Sequence, residues 1–124
     1  MDTSAILAFL LKEPGAAMVT NLIDGAAVSA NIIAELATKL SDRGLSQSDI
    51  AATIEDCAFD IHPVTYNDAL AIGALRPLTQ SVGLSLGDRS CLALAAKLKL
   101  PAITADNAWA TIAGAVGVEV VLIR

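Results

Sequence analysis

Aromatic side chains are nearly absent from this chain of 124 residues; Phe9, Phe59, Tyr66 and Trp109 are all it has. A platform on which successive bases of a single-stranded nucleic acid could stack is therefore poorly supplied. Basic residues are scarce as well, 8 against 13 acidic ones, and the net charge of −5 argues against the broad basic face usual in nucleic-acid binders. The basic residues are dispersed, with Lys97 and Lys99 the nearest thing to a cluster. A polyanion could still enter an acidic pocket if bound divalent cations reversed the local charge, so any such binding is expected to be metal-assisted and local.

Other absences narrow the field further. Cys57 and Cys91 stand apart with no CxxC spacing and no neighbouring histidine, which predicts two buried thiols rather than a disulfide or a zinc site. His62, beside Pro63, has no second histidine to converge with and reads as structural or surface. Gly83 and Gly87 punctuate turns, and no glycine-rich phosphate loop is present. No basic n-region opens a signal peptide, and no apolar stretch reaches membrane-spanning length. A reducing cytoplasm is the expected setting, with no membrane contact.

What is present is apolar and helix-prone. The apolar fraction of 55% is largely alanine and leucine, so helices should dominate. The length predicts one domain over residues 1–124, large enough to bury about two-thirds of its unfolded surface.

Along the chain, Thr3 to Leu11 reads as a helix, and Pro14 fits the first turn of a second one running to Ile23. Ala26–Ala30 suits a buried strand. A third helix places Ile32, Ile33, Leu36, Ala37 and Leu40 on one face and stops near Arg43-Gly44. A fourth opens at Ser46-Gln47-Ser48-Asp49 and runs to about Ala58. Phe59–Val64 reads as a strand, followed by helix from Tyr66 to about Leu75, broken or kinked by Pro77. Leu86–Leu98 is apolar nearly all round and is expected between the sheet and its neighbours. Pro101–Thr104 is a strand, Asn107–Ala113 a helix with Trp109 in the core, and Val118–Ile123 a final strand. Strands alternating with helices predict an α/β fold, a three-layer α/β/α sandwich around a central parallel sheet.

Four acids carry the chemistry. Asp2, Asp88 and Asp106 each lie where an apolar run gives way to a helix start, and in an open α/β sheet such junctions line the carboxyl edge where ligands bind. Converging carboxylates there suit a hard cation such as Mg²⁺ or Mn²⁺. Each acid also has an ordinary explanation. Asp2 and Asp106 could cap the helices that follow them, and Ser85-x-x-Asp88 has the spacing of a capping box. Glu35 projects from mid-helix on the polar side shared with Asn31, Thr38 and Asp42, where a solvated surface acid is common. Arg89 could touch phosphate, but a salt bridge at the helix start is the commoner outcome.

The order and surroundings of these acids resemble a PIN domain, and specifically the VapC toxins of bacterial toxin–antitoxin pairs. Asp2-Thr3-Ser4-Ala5-Ile6-Leu7-Ala8 is similar to the family's D-T-S-A-L-L-A opening. Val28-Ser29-Ala30 leading to Glu35 resembles its second motif. Leu86-Gly87-Asp88-Arg89-Ser90-Cys91-Leu92-Ala93-Leu94-Ala95 is the most specific match, and Thr104-Ala105-Asp106-Asn107-Ala108-Trp109 is similar to its T-A-D-x-A-W segment. The resemblance implies a metal-dependent endoribonuclease in which Asp2, Glu35, Asp88 and Asp106 form a Mg²⁺ or Mn²⁺ pocket. Ser4 and Thr104 match polar positions beside it. It also implies an RNA substrate, a cognate antitoxin and a homodimer. Members usually place Asn three residues before the Glu, whereas Asn31 is four before Glu35, so Asn31 carries little weight.

Members also usually carry several apolar residues ahead of the first Asp as a central strand, whereas only Met1 precedes Asp2 here. Either that strand is built differently or the natural chain starts upstream. With the strand missing, Asp2 is expected on a mobile terminus and the sheet short of a central partner. A degenerate, non-catalytic PIN domain serving as a binding module is the alternative. A phospho-accepting receiver-like domain is disfavoured, since Asp2 has no acidic neighbour and the last strand leads only to Arg124.

Overall fold

The computed structural model describes residues 1–124. Eight helices and four short strands alternate along the chain: α1 (Thr3–Leu10), α2 (Ala16–Thr20), β1 (Ala27–Ser29), α3 (Ala30–Asp42), α4 (Gln47–Asp56), β2 (Asp60–His62), α5 (Tyr66–Ala74), α6 (Arg76–Thr79), α7 (Leu86–Leu98), β3 (Ala102–Thr104), α8 (Trp109–Val116) and β4 (Val120–Leu122). A single 3₁₀ turn, Gln80–Val82, joins α6 to the loop before α7. β1 pairs with β2 and β3 with β4, both in parallel, with Val28 opposite Ile61 and Ile103 opposite Val121. Parallel pairing needs helical crossovers, and these cover the strands to give the α/β sandwich expected from the alternation.

The two strand pairs are bridged by the first two residues. Asp60 N–H donates to Ala26 O and Ala102 N–H to Glu119 O. Because backbone direction alternates along a strand, Ala27 and Ile103 turn their carbonyls the opposite way. The Met1 ammonium donates to Ala27 O at 2.8 Å, and Asp2 N–H donates to Ile103 O at 2.9 Å. The dipeptide thus lies between β1 and β3. Asp2 is 3% exposed and Met1 9%, so the mobile terminus expected for Asp2 does not occur: one hydrogen bond to each flanking strand and burial of Met1 fix it. Past Met1, an apolar cavity of about 280 Å³ opens between Ala27 of β1 and Ile103 of β3, floored by Leu94 and Leu98 of α7.

The core follows the helical stripes. Ile32, Leu36 and Leu40 of α3 are buried as their spacing requires, against Ile6, Val19, Val28 and Leu92, and Trp109 is fully buried. Each such side chain contributes about 1.5–3 kcal/mol of transfer free energy. α7 packs on α3, α5, β1 and β3, the sandwiched position its composition predicts, although Ala96 and Lys97 in its last turn are exposed. Cys57 and Cys91 are free, buried thiols, as expected.

Several boundaries differ from the sequence-based expectation, and the strands are shorter than expected. α2 begins at Ala16, because Gly15 takes φ 94°, and ends at Thr20 rather than Ile23. A Cβ on Gly15 would meet Ile123 O at 2.6 Å, so the close approach of the last strand demands glycine there. The helix from Tyr66 is interrupted ahead of Pro77 as expected: α5 ends at Ala74, and Pro77 sits in the first turn of α6, where its missing N–H is harmless. α8 starts later and ends later than the acid-led signal suggested, stopping at Gly117 with φ 67°.

Candidate metal centre

Asp2 is the hub. It caps α1, accepting Ser4 N–H at 3.2 Å. The Ser4 hydroxyl donates to the same oxygen, Oδ2, at 2.5 Å, and the Thr104 hydroxyl donates to it at 3.0 Å. Ser4 Oγ in turn accepts Ala105 N–H at 2.9 Å, and Thr104 Oγ1 accepts Asp106 N–H at 3.1 Å. The start of α1 is thereby tied to the end of β3, a contact across a hundred residues. Ser4 and Thr104, read from the sequence as supporting residues, both hydrogen-bond the Asp2 carboxylate. All of Asp2's hydrogen bonds fall on Oδ2, leaving Oδ1 uncommitted.

Burial pushes the Asp2 carboxyl above its usual range, and repulsion from Asp88 adds to that, while the bonds from Ser4 and Thr104 act in the opposite direction. Glu35 is raised for the same two reasons: burial first, then the charges of Asp2 and Asp88, opposed by Lys39 and by the Thr3 hydroxyl. Lys39 Nζ stands 3.7 Å from Glu35 Oε1, one turn along α3. Thr3 is 2% exposed and its hydroxyl makes no well-formed hydrogen bond. Glu35 is therefore not the solvated surface acid of its ordinary explanation.

Asp88 does two things at once. Its Oδ2 accepts Ser85 N–H at 2.7 Å while its own N–H donates to Ser85 Oγ at 3.1 Å, completing a capping box at the start of α7. Its other oxygen makes no hydrogen bond, and its charge acts on both Asp2 and Glu35. Asp106 is placed differently. Its carboxylate is exposed and accepts Ala108 N–H at 2.9 Å, and it is not among the charges that act on Asp2 or Glu35. The charge of Asp88 reaches Asp2 and Glu35, although Asp88 follows a 3₁₀ turn and loop rather than the strand end expected for it, and Asp106 lies exposed, joined to Thr104 through its backbone.

By chemistry alone these donors suit a hard divalent cation, being carboxylate oxygens, two of them free of hydrogen bonds. The spacing is that of facing acids rather than a closed cage, for no three Asp, Glu, His or Cys side chains are grouped tightly enough to enclose an ion. Sequence reading did not single out Thr3 or Lys39; Lys39 lies four residues after Glu35, the spacing of a helical ion pair, and was legible from that alone. Asn31, given little weight, donates to Ser90 Oγ at 2.9 Å and ties α3 to α7. Arg89 forms no salt bridge at the helix start; its guanidinium donates to Ile72 O at 3.2 Å, because the side chain runs back over α5. His62 pairs with Asp60 at 2.8 Å, away from the acids.

Comparison with known proteins identifies the family and the fold. The family model for the PIN domain matches residues 1–115. A solved toxin–antitoxin complex from Klebsiella pneumoniae is similar in fold, with a TM-score of 0.72 and 23% identity over 99% of this chain and 95% of that one. No curated protein matches the chain. Since the family model covers all four acids and nearly the whole fold, the chain belongs to the PIN domain family.

Proposed function

We propose that this PIN domain is a metal-dependent endoribonuclease of the VapC type, the toxin of a toxin–antitoxin pair. The observation that carries the reading is the meeting of Asp2, Glu35 and Asp88, distant in sequence, in a partly buried site where the charge of Asp88 acts on Asp2 and those of both act on Glu35. Such repulsion destabilises the fold and is relieved by a bound cation. Asp2 and Asp88 would hold Mg²⁺ or Mn²⁺ through their uncommitted oxygens, with Glu35 binding a further ion or orienting water and Asp106 completing the set from the rim. A cation bound there supplies Lewis acidity toward phosphate oxygen and lowers the pKa of water. Ser4 and Thr104 hold the Asp2 carboxylate in one orientation. Lys39 offers a charge to a neighbouring phosphate. The first turn of α7 adds N–H groups and the positive end of its dipole. In-line hydrolysis leaves a phosphate on one RNA end and a hydroxyl on the other.

An antitoxin partner is supported by the architecture shared with the Klebsiella complex. The net charge of −5 favours a basic inhibitory segment laid over the acidic site. A homodimer and a cytoplasmic setting complete the proposal; no helix is long and apolar enough to cross a membrane.

The test is cleavage of a mixed RNA substrate by purified protein with Mg²⁺ or Mn²⁺ and with excess chelator, alongside Asp88→Asn. Cleavage that requires metal and disappears in the variant supports the nuclease. Mn²⁺ failing to bind at all would favour the non-catalytic binding module, for which the open spacing of the acids is the supporting observation.

A further inference from the structure

We infer that Gly87 is a positioning residue that seats Glu35 in the acidic site; this rests on reading the site as a cation pocket. Gly87 lies in the first turn of α7 in ordinary helical conformation, so its backbone does not require glycine. Alanine is the better helix former at such a position. The reason for glycine lies in its surroundings. A Cβ at position 87 would overlap Glu35 Oε2 and stand 3.2 Å from Glu35 Cδ. The chain's other helical glycines, Gly73 and Gly114, have nothing within 4 Å of the same point. Among the helical glycines only Gly87 has the space of its missing side chain taken, and a carboxylate of the site takes it.

That gap sets which way Glu35 points. Lys39 attracts the carboxylate along α3 from 3.7 Å, toward a side chain that is 43% exposed. The charges of Asp2 and Asp88 disfavour the ionised carboxylate where it now stands. What favours the inward position is the open face of α7, whose first-turn N–H groups lack intrahelical partners and attract an anion. A methyl group at 87 closes that face, and Glu35 swings to Lys39 and solvent. The site then keeps Asp2 and Asp88 but loses its third carboxylate.

The experiment is a double-mutant cycle of Gly87→Ala and Glu35→Ala, with Mn²⁺ affinity measured by calorimetry and stability by thermal melting. Gly87→Ala is expected to weaken Mn²⁺ by about tenfold or more, as loss of a supporting group does, while melting no lower than the parent protein. In the Glu35→Ala background the same change should do nothing, because no carboxylate is left to displace. If Gly87→Ala melts lower but regains its stability alongside Glu35→Ala, the overlap is confirmed by that route. Unchanged Mn²⁺ affinity, or equal weakening in both backgrounds, overturns the inference. Should the parent protein bind no Mn²⁺, the cation reading falls by itself. The seating is then read from the ¹³C carboxyl resonance of Glu35 in metal-free protein, assigned by its loss in Glu35→Ala. A shift on Gly87→Ala supports the seating, and an unmoved resonance overturns it.

Discussion

Two helices of this protein begin with the same device and end up with opposite electrostatics. α5 opens with Thr65 and Asp68, α7 with Ser85 and Asp88, and both form complete capping boxes. At α5 the spare Asp68 oxygen meets Lys97 Nζ at 2.8 Å. That pairing, with the hydrogen bonds from Thr65, holds the Asp68 carboxyl at about 2. At α7 the spare Asp88 oxygen has no partner, and its charge pushes Asp2 and Glu35 upward. One acid is neutralised and structural. The other keeps an oxygen with no hydrogen-bond partner and acts on two further acids. The contrast teaches that capping and function are not rival explanations: the cap fixes one oxygen and so aims the other.

The comparison breaks most sharply under paired substitutions. Asp88→Asn is expected to lower metal-dependent RNA cleavage by about 10²-fold or more, the scale for removing a preorganised electrostatic group. Its melting temperature should stay near that of the parent protein, since an Asn side-chain oxygen can still accept Ser85 N–H. Asp68→Asn should leave cleavage untouched. If Asp88→Asn cleaves RNA normally, the two helix starts are alike after all.

A second effect has the opposite sign in stability and in function. Asp2→Asn keeps the shape that Ser4 and Thr104 bond to while removing a charge the folded state disfavours, so urea unfolding at pH 7 should show a more stable protein that no longer cleaves. A loss of stability would mean that the charge supports the α1 cap more than burial and Asp88 oppose it.

The pH dependence separates the two classes of acid. Asp2 and Glu35 have folded-state pKa values above their ordinary 3.8 and 4.5. Their contribution is fully present below those ordinary values and is lost as pH rises through the raised ones. Asp68 runs the other way, contributing above 3.8 and losing that contribution as pH falls toward about 2. The gain from Asp2→Asn should therefore shrink on acidification from pH 7 to pH 4, whereas the loss from Asp68→Asn should persist to about pH 4 and vanish below it. Urea titrations across that range decide both. The smallest effect belongs to Lys97→Met, which removes an exposed ion pair. A slight drop in melting temperature that fades with added salt is expected.

Much of this was legible in the residues. The acids announce themselves because helix starts after apolar runs have few alternatives, and the PIN resemblance followed from their order. The N-terminal dipeptide shows the boundary of such reading. A strand of conventional length was absent and mobility followed as the expectation, but two hydrogen bonds to carbonyls on different strands hold Asp2 in place. No local pattern encodes that, because the acceptors lie on segments beginning near residues 27 and 103. Arg89 failed similarly: its neighbour in sequence is Asp88, yet its guanidinium found Ile72 O on α5.

By itself, then, the sequence determined the helices, their caps, the alternation that makes the sheet parallel, and the identity of the four acids. These depend on interactions within about one helical turn or one strand, where spacing fixes geometry. Only the tertiary structure decided that Asp88 faces Asp2 and Glu35 while Asp68 faces Lys97, that Asp106 stays at the rim, and that Gly87 leaves room for Glu35. Charges act through space, and which of them become neighbours is set by how α1, α3, α5 and α7 pack rather than by their order along the chain.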